Sequence, residues 1–456
     1  MTRYLTGLSI PCLMAAAVLI NACKQLPQAP LPDAEEISRR ISLDFSKTEA
    51  QVRESLAHYF PLLSDSQLMA WESDGRLEMR FIRGEKRYFN YAVGNLFRTD
   101  PGARQVRDRL YPPRPDPLDS ICLQNTRAIV DAQNSGSPVV TMEITIEFSL
   151  TVDADAVPPG ETIRCWLPFP KESQPRQTGV TLLSSAPKAV KHSSPTIGHS
   201  SLYAEQMAVA GQPTGFNYRA SFQISGQWFD PELFQTARPK TGRRPSSRFT
   251  SEALPQVIFS DAVKALTDSL SGTETNPYQL IRRFYHWIDE NIPWASAREY
   301  STMDSIPDYV LRNKRGDCGM VTFLLLSMAR HKGIPARWQS GWMLHPGKLN
   351  LHDWAEVWFA ETGWIPVDQS FGLQESPDPR LREFYVSGID SYRMIVNDGF
   401  AQPLDPPKQF PRSEPFDFQR GEVEWRNGNL YFNQWDYHLE VISIEPIPTN
   451  SKSIKQ

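Results

Sequence analysis

Cysteine is scarce in this chain: five occur in 456 residues, and no Cys-x-x-Cys pair is present. That argues against a structural zinc site. Runs of lysine and arginine are missing, and the formal net charge is only -4, so nothing points to nucleic acid. No Asp/Asn-rich loop has calcium-binding spacing. The apolar run Leu5 to Ile20 falls short of the ~20 residues that a membrane span needs, and Pro11 interrupts it. What is there fits a folded body. Hydrophobic residues make up 40% and charged residues 22%, and the length suits two or three domains. The 38 prolines imply many loops and linkers.

Residues 1–22 read as a targeting segment. Arg3 precedes the apolar run, and Asn21-Ala22-Cys23 follows it. A small residue directly before a cysteine resembles the bacterial lipoprotein signal, although Asn21 departs from the usual small or apolar residue. Cys23 is then the expected lipidation site, with 23–32 a Pro-rich tether and several acyl chains as the membrane anchor. Plain secretion and a true span are the alternatives. Lys24 stands where an aspartate would signal inner-membrane retention. The expected location is therefore the cell envelope, at the outer membrane or the periplasmic face. Cys12 leaves with the signal. In an oxidising compartment Cys122 and Cys165 either pair or remain two buried thiols.

Further organisation follows from periodicity. Residues 33–115 read as mostly helical, with Ile37, Ile41 and Phe45 and then Val52, Leu56, Tyr59 and Phe60 at helical spacing. Two short strands flank Gly84. Residues 120–235 read as a β-sandwich: Val140, Met142, Ile144, Ile146, Phe148, Leu150 and Val152 are apolar at every second position. Ser184 to Thr214 reads as a Ser/Gly-rich excursion, and 236–250 as a linker. Residues 251–400 place helices before strands. The helix expected from Cys318 to Lys332 carries one apolar stripe, ended by Gly333 and Pro335. Strands follow over 336–342, 351–359 and 364–368. Residues 401–456 add a hairpin turning near Asn427-Gly428 and a last strand.

Chemistry concentrates in residues 251–400. Asp317 is placed to cap the helix that begins at Cys318. A thiol in a first helical turn feels the positive end of the helix dipole, which favours thiolate. A neighbouring imidazole would take its proton. His331 lies 13 residues along the same helix, about 20 Å away at ~1.5 Å per residue, and cannot serve. His345, in a Gly/Pro loop, could reach. His352, at the start of a strand, suits a rigid base better, and Asp368 lies on the next strand. They share a face only if the connecting loop pairs even residues with even residues, as a three-residue loop does.

The blocks Arg315-Gly316-Asp317-Cys318, Gly333-Ile334-Pro335-Ala336-Arg337, His352-Asp353-Trp354-Ala355-Glu356-Val357 and Gly363-Trp364-Ile365-Pro366-Val367-Asp368 closely resemble the transglutaminase-like superfamily. Arg164-Cys165-Trp166-Leu167-Pro168-Phe169-Pro170 looks like the β domain that often precedes this core. The resemblance implies a multidomain chain: a mostly helical N-terminal region, a β-sandwich, then an α+β papain-like core. It implies Cys318 as nucleophile, His352 as base and acid, and Asp368 as orienter. An aromatic residue upstream, Tyr300 or Trp294, would be the second oxyanion donor; both also have an ordinary packing role. Gln369 stands where proline is common. The implied reaction passes through a Cys thioester of a protein or peptide amide, peptidoglycan peptides included. Hydrolysis is favoured slightly over transfer to an amine, with no cofactor and no metal. Rival readings are a glutamine cross-linking transferase, a sugar-side amidase, and a non-catalytic envelope lipoprotein on the same fold.

Overall fold

The computed structural model describes residues 26–172, 174–236 and 244–448. The expected leader, Cys23 and much of the 236–250 linker lie outside the described residues. Five helices from Ala34–Asp44 to Pro101–Leu110 surround the hairpin Met79–Ile82 and Glu85–Tyr88. Their starts are set by side chains: Asp33, Thr48, Ser64 and Asp100 each accept a first-turn amide. Leu56, Leu68, Leu77 and Leu96 form a separate small core.

Helix Pro117–Asp131 occupies the start of the range read as β from sequence. Asp116 caps it and Pro117 takes the first position, where a missing N–H costs nothing. The sandwich follows. One sheet runs Gly388–Ile389, Thr214–Trp228, Val139–Val152, Trp435–Pro446, with Gln177–Ala186 also on Thr214–Trp228. The other runs Gly428–Leu430, Glu422–Trp425, Thr162–Pro168, Ser201–Met207, Lys191–His192. Two readings change here. The Ser/Gly-rich stretch holds a central strand, because Leu202, Tyr203 and Ala204 bury against the sandwich core. The C-terminal segment is no appendage: its strands pair with Thr162–Pro168 and Val139–Val152 and complete both sheets. Cys122 and Cys165 are separate free thiols, both buried.

A third sheet, ordered Gly363–Val367, Lys348–Phe359, Ala336–His345, Arg393–Asp398, carries the core. Helix Cys318–His331 packs on it through Phe323, which stacks on Trp338 at 4.4 Å. This helix is buried on every side from Gly319 to Arg330, not along one stripe. The sheet covers one flank and helices Asp261–Ser271, Pro277–Asn291 and Ile306–Asn313 cover the rest. Farther along the same sheet, Trp342, Leu344, Met394 and Val396 join the sandwich core. Each such fully buried side chain contributes about 1.5–3 kcal/mol, so the sandwich is a buttress of the third sheet.

Candidate active site

Local sequence fixes the position of Cys318. Asp317 has extended backbone angles, and its carboxylate accepts from the Met320 amide at 2.9 Å, starting the helix at Cys318. The Tyr300 hydroxyl donates to the same carboxylate at 2.6 Å. Gly319 is required at the next position: a Cβ there would meet the Tyr300 hydroxyl and lie 2.6 Å from Asp353 Oδ2.

His352 is held from the opposite side. The loop 360–362 pairs Phe359 with Gly363 and Ala355 with Val367. Even residues therefore face even residues, the register under which His352 and Asp368 share a face. His352 Nε2 lies 2.8 Å and 3.0 Å from the two Asp368 oxygens. That leaves Nδ1 for proton exchange. Asp368 is itself clamped: Arg393 donates through Nε and Nη2 at 3.1 Å and 3.0 Å. Burial opposes charge on Asp368, but His352 and Arg393 outweigh it and hold its pKa below the ordinary carboxylate value. Arg393 Nη1 also binds Asp390, which pairs in turn with His345 at 3.0 Å.

His345 therefore serves this buried network and not the thiol. Ligand atoms of Cys122, His345 and Asp390 lie within 4.8 Å of one another. The Arg393 guanidinium bonds both His345 and Asp390, so a fixed positive charge already stands where a metal ion would have to sit. His331 pairs with Asp268 at the surface, far along the helix.

Cys318 and His352 line one cavity of about 330 Å³, with Trp294, Tyr300, Phe371 and Asp353 among its walls. No hydrogen bond joins Cys318 Sγ to the imidazole among the described residues. The thiol donates instead to Asp353 Oδ2 at 3.3 Å. Burial, and then Asp353 and Asp317, push the thiol well above its usual pKa. Burial and these two carboxyls act against the thiolate-favouring effect of the helix start. Asp353 was not singled out from sequence, although it adjoins His352. Its place next to His352 was the available signal, since consecutive residues of one strand reach both sides of it. Tyr300 is committed to Asp317, and Trp294 stands at the rim, 40% exposed, under the Arg98 guanidinium at 4.1 Å.

Residues 264–369 match the family model of the transglutaminase-like superfamily. This chain carries a transglutaminase-like domain. A protein-glutamine gamma-glutamyltransferase of Pseudomonas aeruginosa is 26% identical over 162 residues, covering 32% of this chain and 24% of that protein. An uncharacterized protein of Haemophilus influenzae is 27% identical over 146 residues, 26% of this chain and 38% of that one. The chain thus spans well under half the length of either curated relative. Among solved structures, a candidate cysteine protease of Cytophaga hutchinsonii aligns with TM-score 0.45 at 14% identity, over 69% of this chain and 96% of that one. The periplasmic domain of TgpA from Pseudomonas aeruginosa aligns with TM-score 0.26 at 16% identity, over 56% and 94%.

Proposed function

We propose that the protein is a thiol enzyme that opens peptide or glutamine-type amides through a thioester on Cys318. The observation that carries this reading is the His352 imidazole, fixed by Asp368 and opening on the same cavity as a cysteine at a helix N-terminus. His352 Nδ1 takes the Cys318 proton as sulfur attacks the amide carbonyl. The same proton then goes to the leaving amine. Amides of Cys318 and Gly319, without helical partners in the first turn, face the developing oxyanion. Tyr300 or Trp294 supplies the second donor; Tyr300 does so by giving up Asp317. His352 next deprotonates water, and hydrolysis releases the acid.

Transfer to an amine is the second reading, favoured by the name of the Pseudomonas relative. Lipid attachment at Cys23 would hold the enzyme at the envelope, where proteins and peptidoglycan stem peptides are the available amides. A peptide-library digest, with and without an added primary amine, tests the reading. Cleaved peptides alone identify a hydrolase, and amine-capped glutamine a transferase. No product from the wild-type protein would overturn both.

A further inference from the structure

The thiol's partner in the resting site is a carboxyl, and that carboxyl has a carboxyl behind it. Asp353 gives Oδ2 to the Cys318 thiol at 3.3 Å and Oδ1 to Gln419 Nε2 at 2.9 Å. The Asp417 carboxyl is its neighbour, close enough to share a proton with it. Two carboxyls can bond each other only if one carries a proton. Asp417 accepts from Ser340 Oγ at 2.7 Å, Asn397 Nδ2 at 3.0 Å and the Phe418 amide at 2.8 Å. All three donors end on Asp417 Oδ1, so the pair's proton lies between the two carboxyls, and burial favours it on Asp353. Both side chains are buried.

We propose that Asp353 and Asp417 act as one proton-sharing pair that keeps Cys318 a neutral thiol in the resting enzyme. The inference rests on the thiol-enzyme reading above. The groups around sulfur agree with it. Asp317, Tyr300 and His352 line the same cavity as the thiol, and Glu414 stands behind Asp417. The nearby cations are committed elsewhere: Arg420 to Glu299 and Glu414, Arg298 to Glu78. The pair's one negative charge and that of Asp317 thus stand near sulfur with no free counter-charge among the described residues. Burial, and then Asp417, raise Asp353 well above the ordinary carboxylate value, while burial and Glu414 raise Asp417 to about 6. On activation the S–H bond breaks and an N–H bond forms on His352 Nδ1. The pair keeps its own proton throughout.

The test is the rate of Cys318 alkylation by iodoacetamide against pH, read by mass spectrometry. Wild type should show a midpoint above the ~8.5 of a free thiol. The double variant Asp353→Asn/Asp417→Asn, which removes the shared charge, should lower the midpoint by about one unit, roughly tenfold faster alkylation at pH 7. A wild-type midpoint at or below 8.5, or an unmoved midpoint in a folded double variant, overturns the proposal. If circular dichroism shows the double variant unfolded, the wild-type profile alone decides. Amide cleavage by His352→Ala tests the enzyme reading separately: activity that survives there overturns that reading and leaves the alkylation profile to judge the pair.

Discussion

Two groups of carboxyls flank the cavity, and their pKa values are pushed in opposite directions. Asp368 and Asp390 meet Arg393, His352 and His345, and both lie below the ordinary carboxylate pKa. Asp353, Asp417 and Asp317 meet hydroxyls, amides and each other, and all three lie above it. Desolvation acts on every one of them in the same direction. What differs is a guanidinium within reach. One group can therefore orient an imidazole with a permanent charge, while the other withholds charge from the thiol.

The largest effect should come from the charged side. His352→Ala should lower kcat/KM about 10²–10⁴-fold, measured on a cleaved peptide, with little change in stability. Arg393→Met leaves Asp368 and Asp390 buried without their cation. It should destabilise by about 3–5 kcal/mol in denaturant unfolding. Asp353→Asn, by contrast, replaces a neutral carboxyl and should stay within about 1 kcal/mol. Equal losses in these two variants would break the comparison.

Gly319→Ala disturbs only the neutral side. Its Cβ would press on Asp353 and Tyr300, with an expected cost of about 1–3 kcal/mol. The smallest effect concerns Asp44, which accepts from the Glu299 amide at 3.0 Å and so fixes the cavity wall. Burial, and then Glu299, raise it to about 7. Between the unfolded value near ~3.9 and about 7, the folded state binds more protons, so stability falls as pH rises. Asp44→Asn should raise Tm at pH 8 and leave it unchanged at pH 4. Asp368 and Asp390 carry the opposite sign: their contribution is present above the unfolded value and lost in acid, below it.

Sequence made the candidate site residues visible because their signals are local. Asp317 caps, Cys318 opens a helix, and a three-residue loop sets the register of His352 and Asp368. The groups that tune them were not visible. Arg393, Asp417 and Gln419 come from a segment with little periodicity, and each reaches the site only through long-range packing. The same limit explains the central helix: a repeat of apolar residues reveals one covered face, whereas three more helices lie against the others. Ser201–Met207 was hidden by its serine-rich flank, and Pro117–Asp131 was overlooked despite its Asp-Pro start.

The central claim is that Cys318 carries the acyl group. Intact-protein mass spectrometry after acid quench of a reaction with a glutamine-containing peptide tests it most directly. Wild type should gain the mass of one acyl group, mapped to Cys318 and absent in Cys318→Ala. Amide turnover by Cys318→Ala at the wild-type rate, with no adduct on either protein, would contradict it.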